Sequence, residues 1–295
     1  MQIKEALKWG YEQLILTSSS ARLDAEILLS YILKKPTTFL LAHDEHKICS
    51  IKLWLYKRAI RKRKQGMPVA YLTGHKEFYF LDFKVNRNVL VPRPDTETLV
   101  ECVIEYIRSI TGGENDHSRQ RDLSIAPPEV LLLDIGTGSG CIPISVCKNI
   151  EDLIAVATDI SCNALRVARR NIKKYGLEGR IRLIHSDLLK NVLPELFEER
   201  EVIVTANLPY IPTDYQISPE LKYEPQISLF GGSDGMDLYK KIVQQLIPIK
   251  PKAIFFELFE DQIAILKTRL PGYRLKYIKN MSGKARVLVM EKVVQ

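Results

Sequence analysis

The chain has 295 residues, 46% of them hydrophobic and 26% charged, which fits a folded globular protein of about two domains and excludes a disordered chain. No apolar run reaches the roughly 18 residues of a membrane-spanning helix. The net charge of +8 is concentrated at one end: Met1 to Leu72 holds 13 Lys and Arg against 6 Asp and Glu, a net +7, so the remainder is close to neutral.

Met1 to Leu16 mixes Lys4, Glu5, Lys8 and Glu12 with apolar residues. It has neither the apolar core of a signal peptide nor the acid-poor character of a transit peptide, so a cytoplasmic protein is expected. Ile3, Leu7, Tyr11 and Leu14 recur at helical spacing and predict a first helix. Ser20 is placed to cap a second, where Leu23, Ile27 and Ile32 continue the pattern, and Thr37 and Thr38 offer caps for a short third. A longer helix is predicted from about Ile51 to Lys64, ended by Gly66 and Pro68. Its run from Lys57 to Lys64 is either a solvated face or a docking surface for an acidic protein or for RNA. Residues 1–73 read as a small helical domain.

Residues 74–92 read as a connecting β-hairpin. Glu77 to Val91 is rich in aromatic and β-branched residues, with Asn86-Arg87-Asn88 as the turn signal. Pro92 and Pro94 stop it, and Asp95 or Thr96 is placed to cap a helix from about Glu97 to Ser109. Thr111 to Pro128 is polar, with Gly112-Gly113 and Pro127-Pro128, and predicts a loop. From Val130 onward strands alternate with helices. The strand candidates are Val130–Ile135, Ile154–Thr158, Ile181–His185, Val202–Ala206, Ala253–Glu257, Leu275–Ile278 and Val287–Glu291. Such alternation over residues 93–295 predicts an α/β domain with an open, mostly parallel sheet covered on both faces. Ligands in such sheets bind at the carboxyl ends of strands. Cys49, Cys102, Cys141, Cys147 and Cys162 include no CxxC pair and read as buried small hydrophobes, so no metal site is predicted.

The motifs fall at those strand ends. Leu131-Leu132-Leu133-Asp134-Ile135-Gly136-Thr137-Gly138-Ser139-Gly140 is a buried strand entering a glycine-rich turn, which lets the backbone approach a ligand closely. A nicotinamide fingerprint would place its third glycine at position 141, where Cys141 stands. The D-x-G-x-G-x-G form, with Asp134, Gly136, Thr137, Gly138 and Gly140, resembles the first motif of class I methyltransferases. Asp159 ends the second strand, where a carboxylate can accept hydrogen bonds from both ribose hydroxyls of a nucleoside. Ser186-Asp187 follows the third. In methyltransferases an acid at the position of Asp187 meets the adenine amino group.

The fourth strand ends in Ala206-Asn207-Leu208-Pro209-Tyr210-Ile211-Pro212. An amide or aromatic amine nitrogen is a poor nucleophile because its lone pair is delocalised. Two acceptors that grip its two N–H groups fix it and favour pyramidalisation toward a methyl donor. Asn207 offers a side-chain oxygen, Leu208 a backbone carbonyl, and Tyr210 a ring to stack on a planar group. The stretch resembles the (D/N/S)-P-P-(Y/F/W) motif of methyltransferases acting on nitrogen conjugated to a π system, so Asn207, Leu208, Pro209 and Tyr210 are the catalytic candidates. Asn207 is also counted with the cofactor-binding residues. Leu208 stands where the first Pro is usual. It keeps the carbonyl, and Pro209 biases it toward an extended conformation, so Leu208→Pro is expected to keep or raise activity. Asn-Leu-Pro-Tyr is also the form found in rRNA adenine dimethyltransferases.

Across nearly the whole chain the sequence resembles the peptide chain release factor glutamine methyltransferases, the HemK/PrmC family. The resemblance is carried by Pro68-Val69-Ala70-Tyr71-Leu72-Thr73-Gly74 with Glu77-Phe78-Tyr79, and by Arg93-Pro94-Asp95-Thr96-Glu97. Glu224-Pro225 with Phe230-Gly231-Gly232-Ser233-Asp234-Gly235, and Ser282-Gly283-Lys284-Ala285-Arg286-Val287, carry it further. It implies a class I Rossmann-like fold with an open seven-stranded sheet, S-adenosyl-L-methionine as cofactor, and a release factor as protein substrate, modified on the glutamine of a Gly-Gly-Gln loop. It further implies that the helical domain grips that substrate; a monomer without a membrane partner is expected. Two stretches depart from the family pattern. Glu257-Leu258-Phe259-Glu260-Asp261-Gln262 stands for E-I-G-x-x-Q, and Asn280-Met281-Ser282-Gly283 for D-L-A-G. Two other readings stay open. One is an adenine-N6 methyltransferase of RNA or DNA, favoured by the basic segment and by Asn-Leu-Pro-Tyr, disfavoured by the Glu-Pro and Gly-Gly-Ser-Asp-Gly segment. The other is a non-catalytic nucleoside-fold binding protein, against which the intact Asp134, Gly136, Gly138, Asp159, Asn207 and Tyr210 argue.

Overall fold

A computed structural model describes residues 1–112, 129–266, 269–280 and 282–293. Most of the predicted loop Thr111 to Pro128, and Met281 of the Asn280–Gly283 stretch, lie outside the described residues. The chain divides into two compact units that do not follow one cut. The first comprises Met1–His75, Val85–Arg87 and Gln216–Glu224; the second comprises Lys76–Lys84, Asn88–Tyr215 and Pro225–Gln295.

The first unit holds helices α1 (Ile3–Leu14), α2 (Ala21–Leu33), α3 (Thr37–Ala42), α4 (Ser50–Lys64) and α5 (Val69–Thr73). Their existence follows the sequence, but their buried faces do not follow its large residues. The buried stripe of α1 is Ile3, Ala6, Gly10 and Leu14, and Tyr11 is exposed. A Cβ on Gly10 would collide with the Tyr56 hydroxyl of α4, so the missing side chain is what lets the two helices close. On α2 the buried set includes Ala25, Leu28 and Leu29, while Leu23 is exposed. Ser20 stands at the N-cap of α2, yet its hydroxyl donates to Asp24 Oδ1 at 2.9 Å instead of accepting a helix amide. Pro36, not Thr37 or Thr38, is the N-cap of α3. The basic run is divided as well. Arg58, Arg61 and Lys64 are exposed, whereas Arg63 is buried, with Nε donating to Asp24 at 2.6 Å and Nη2 to Glu220 at 2.5 Å.

Strands β1 (His75–Phe78) and β2 (Leu81–Lys84) form a two-stranded sheet. Their turn is Tyr79-Phe80, not Asn86-Arg87-Asn88. Both residues are left-handed, with φ of 47° and 60°, as a two-residue hairpin loop demands to match strand twist. Two aromatics in that conformation carry no turn signal in the sequence. The Tyr79 amide donates to Glu97 Oε1 at 2.9 Å.

Helix α6 (Pro94–Thr111) begins earlier than predicted, with Arg93 at the N-cap and Pro94 in the first turn, where its missing N–H costs nothing. Asp95 and Thr96 are therefore inside the helix, and their side chains serve other partners. The main sheet contains β3 (Val130–Ile135), β4 (Ile154–Asp159), β5 (Ile181–His185), β6 (Glu201–Ala206), β7 (Ala253–Glu257), β8 (Tyr273–Lys279) and β9 (Ala285–Lys292). Its order is β5-β4-β3-β6-β7-β9-β8, parallel from β5 to β7 and antiparallel at β9 and β8. Helices α7 (Cys141–Asn149), α8 (Cys162–Lys174), α9 (Asp237–Leu246) and α10 (Glu260–Leu266) connect the strands. One large core cluster joins β3, β6 and β7 to α9 through Leu133, Val204, Phe256, Tyr239 and Ile242. Among the described residues no helix is long and apolar enough to cross a membrane.

Candidate active site

The strand order turns at β3, whose successor β4 lies on one side and whose later neighbour β6 lies on the other. Such a switch point opens a crevice at the carboxyl ends of the strands. Register fixes what meets there. Ile135 pairs with Thr158 on one side and with Ala206 on the other, and Ala206 pairs with Phe256. Gly136, Asp159, Asn207 and Glu257, one residue beyond, thus stand in a row.

The glycine turn is held from β4. The amides of Gly136 and Thr137 both donate to the Thr158 carbonyl at 2.9 Å, and the Gly138 amide donates to Asp159 Oδ2 at 2.8 Å. Gly136, Gly138 and Gly140 all have positive φ. A Cβ on Gly136 would stand 2.8 Å from Leu208 Cδ2, so this glycine lets the β3 and β6 loops touch. Asp159 Oδ1 accepts the Ser161 amide at 2.8 Å. Burial raises the Asp159 carboxyl above its ordinary value, against the pull of these two amides.

A cavity of about 210 Å³ lies over this row, far more than the roughly 10–15 Å³ a single water needs. Gly136, Thr137, Gly138, Asp159, Asp187, Asn207, Leu208 and Pro209 all line it. Ile142, Ile160 and Leu188 supply apolar wall. Asp134, Gly140 and Tyr210 stand outside the walls. Asp134 has no exposed surface; its Oδ1 accepts from the Thr205 hydroxyl of β6 at 2.7 Å, and burial pushes its carboxyl up to about 6. It ties β3 to β6 beneath the turn. Asp187 is paired with Lys190 at 2.5 Å.

The side-chain amide of Asn207 has defined roles. Its Nδ2 donates to Thr96 Oγ1 at 3.1 Å and to Glu257 Oε2 at 3.0 Å. With both N–H groups so engaged, Oδ1 is the acceptor left for a ligand. The Leu208 amide donates to the Tyr239 hydroxyl at 3.1 Å. That hydroxyl has one hydrogen facing two carbonyls, Leu208 at 3.3 Å and, closer, Glu257. The hydrogen therefore goes to Glu257, and the Leu208 carbonyl keeps its accepting capacity. Tyr210 packs edge-on against Phe259, with centroids 4.8 Å apart, and its hydroxyl donates to Glu257 Oε1 at 3.2 Å. Burial and that carboxylate hold its hydroxyl well above its ordinary value, so it stays protonated and keeps its hydrogen for Glu257. Glu257 itself is 1% exposed, and burial pushes its carboxyl up to about 7.

The segment after the motif is strapped down by backbone. The Ile211 amide donates to the Leu229 carbonyl at 3.0 Å and the Gly231 amide to the Ile211 carbonyl at 2.9 Å, and Gln262 Nε2 donates to the carbonyls of Tyr210 at 2.8 Å and Asp234 at 3.2 Å. A Cβ on Gly231 would collide with the Pro209 carbonyl, and one on Gly235 with the Tyr210 carbonyl.

Residues 5–74 match the PrmC N-terminal domain, and residues 123–208 match a methyltransferase domain. A release factor glutamine methyltransferase of Bacillus anthracis is 32% identical over 300 residues, covering 99% of this chain and 99% of its own. One from Clostridium acetobutylicum is 39% identical over 246 residues, covering 82% and 80%. The chain belongs to the release factor glutamine methyltransferase family. It also matches a bifunctional methyltransferase of Rickettsia felis at 33% identity, over 93% of this chain but 55% of that protein, so it spans about half the length of that relative. Among solved structures, the hMettl16 catalytic domain in complex with MAT2A 3′UTR hairpin 1 superposes with a TM-score of 0.56 at 13% identity, over 89% of this chain and 90% of that one. That likeness shows the fold, the α/β architecture of class I methyltransferases.

The geometry accounts for two marks of the sequence. Asp95 accepts from Arg286 Nε and Asn280 Nδ2, each at 2.9 Å, which joins the Arg93–Glu97 stretch to the Ser282–Val287 one. Phe259, where glycine is usual, does not have left-handed backbone, and Arg286 lies over its ring at 5.0 Å. Sequence reasoning missed three residues. In sequence Thr96 reads as a helix cap, and Glu257 only as part of a stretch that departs from the family pattern. Yet a lone acid closing the apolar strand Ala253-Ile254-Phe255-Phe256 is the same signal that marks Asp159. Tyr239 gives no signal; it is one aromatic on an amphipathic helix.

Proposed function

We propose that this chain transfers a methyl group from S-adenosyl-L-methionine to the side-chain amide nitrogen of the glutamine in the Gly-Gly-Gln loop of a peptide chain release factor. The observation that carries the reading is the Asn207 amide, oriented by Thr96 and Glu257 so that an acceptor oxygen remains for the pocket.

The residues present fit the cofactor. A turn of three left-handed glycines leaves room for a ligand beside the backbone. Asp159 presents a carboxylate at the end of β4 for a ribose, Asp187 an acid at the end of β5 for an adenine amino group, and Ile142, Ile160 and Leu188 an apolar surface for the base. When bound, S-adenosylmethionine supplies a methyl group already activated by a sulfonium charge.

The chain's own task is then orientation. Asn207 Oδ1 accepts one N–H of the glutamine amide and the Leu208 carbonyl the other, which fixes the nitrogen. Holding reacting groups in register is worth several kcal/mol. Tyr210 steadies this grip by anchoring to Glu257. The helical first unit, with Arg58, Arg61 and Lys64 exposed, supplies a cationic face for the protein substrate. Incubation with labelled S-adenosylmethionine and two acceptors, a release factor and bulk RNA, tests the reading. Label in the release factor, lost when its Gly-Gly-Gln glutamine is replaced, is expected; label in RNA alone overturns the substrate.

A further inference from the structure

We infer that Glu257 and Thr96 are positioning residues that lock the Asn207 amide with its oxygen toward the pocket, and that this lock makes the site select groups presenting N–H. The acceptor's identity rests on the reading above; the lock itself does not.

An ionised carboxylate only accepts hydrogen bonds. With Nδ2 placed 3.0 Å from Glu257 Oε2 and 3.1 Å from Thr96 Oγ1, both amide donors are used. Rotating the amide by half a turn would press Asn207 Oδ1 against the carboxylate in a buried site, and two acceptors in contact there are strongly disfavoured. The orientation of Asn207 is therefore set from behind, by a residue 50 positions away that does not reach the pocket.

The same geometry makes the lock sensitive to acid. Glu257 is faced by Thr96 and Asp95 of α6, Cys141 of α7, Tyr210 of the β6 loop, Tyr239 of α9 and Arg286 of β9. Burial keeps Tyr210, Tyr239 and the Cys141 thiol neutral, and Asp95 is paired with Arg286 at 2.9 Å. Glu257 is thus the member of this group that takes up a proton near neutrality, at about 7. Once protonated it presents an O–H, and the amide no longer has a single preferred orientation.

Side-chain amide spectra of the nitrogen-15-labelled full chain, without ligand, test the lock. The Asn207 signals are assigned by their loss in Asn207→Ala. They are expected to shift with a midpoint near pH 7 in the wild type, the value for Glu257, and to stay fixed in Glu257→Gln. Single-turnover transfer to a Gly-Gly-Gln release factor is expected to fall about tenfold or more in Glu257→Leu, as misplacement of a reacting group does. Glu257→Gln, which like the protonated acid carries one acceptor and one donor group, should transfer no faster than the wild type does at low pH and lose its dependence on pH around neutrality. Cofactor affinity should stay within about twofold in both, because neither bonds the ligand. If the leucine variant does not fold, the glutamine variant decides. Asn207 signals that do not titrate, or that titrate alike in Glu257→Gln, overturn the inference. Transfer to adenine with none to glutamine would remove the proposed acceptor, while the spectra still decide the lock.

Discussion

Asp159 and Gly138 are joined by a hydrogen bond of 2.8 Å from the glycine amide to the carboxylate. The bond ties the tip of the glycine turn to the end of the neighbouring strand. A second amide, Ser161, holds the other oxygen. Asp159 therefore shapes the turn as well as facing the pocket.

Replacing it by alanine should weaken both roles. Hydrogen bonds to a charged group are worth about 1.5–3 kcal/mol each and do not simply add. Affinity of Asp159→Ala for S-adenosylhomocysteine is expected to fall at least about tenfold, measured by calorimetry. Because burial raises the Asp159 carboxyl, wild-type affinity should also decline on acidification, whereas the alanine variant should lack that component. Unchanged affinity would remove Asp159 from the site.

Asn207→Ala removes the oriented acceptor and leaves the glycine turn intact. Methyl transfer in a single turnover is expected to drop by roughly 10²-fold, as with loss of a preorganised polar contact elsewhere. Cofactor affinity should barely move. Near-wild-type transfer would overturn the mechanism.

Leu208→Pro looks harmless in sequence, since proline keeps the carbonyl. The structure adds a cost in stability. Leu208 donates its amide to the buried Tyr239 hydroxyl at 3.1 Å, and proline has no amide hydrogen. Leaving that hydroxyl without its donor should cost about 1–3 kcal/mol. A lower melting temperature for Leu208→Pro, with Tyr239→Phe destabilised as well, is the expected result; an unchanged one would refute the role of this bond.

Glu257 also makes stability depend on pH. Its carboxyl lies at about 7 in the folded chain against an ordinary 4.5, so between those values the folded state holds a proton that the unfolded state has released. The stabilisation is full below about 4.5 and is lost as pH rises through about 7. Glu257→Gln cannot ionise and should escape this loss. The melting temperature of the variant relative to wild type is expected to be higher at about pH 8 than at about pH 5. Asp134, which has the same sign, is present in both proteins and cancels. A difference that does not change with pH would mean that the carboxyl is not held neutral by burial.

The basic helix separates into two kinds of cation. Arg63 is buried against Asp24 and Glu220, so Arg63→Ala leaves buried carboxylate unpaired, a change that costs about 3–5 kcal/mol in such pairs. Arg61→Ala, at an exposed position, should change stability by less than about 0.5 kcal/mol. Denaturant titration of both variants checks the contrast. If acceptor binding depends on this helix, Arg61 and Lys64 are the positions to neutralise, with salt dependence as the readout.

Much of this protein was legible in its sequence. Alternating apolar runs marked the seven strands of the main sheet, and the motifs at their ends marked the turn at Gly136, the acids Asp159 and Asp187, and the Asn207–Tyr210 loop. These are local properties, written in consecutive residues, and the long matching stretches identified the family. Tertiary structure alone decided which strand ends are neighbours. That β6 lies between β3 and β7 follows from how the crossovers pack on the sheet, and no residue near Asn207 encodes it. Hence the grip of Glu257 and Thr96 on Asn207, and the retreat of Asp134 and Tyr210 from the pocket wall, were invisible beforehand. The same holds where small residues carry the packing: Gly10 closes α1 on α4 because it lacks a side chain, and a pattern of large apolar residues cannot record an absence. Local sequence sets the period of each element, but the partner of a buried polar group is chosen only when distant segments meet out of water.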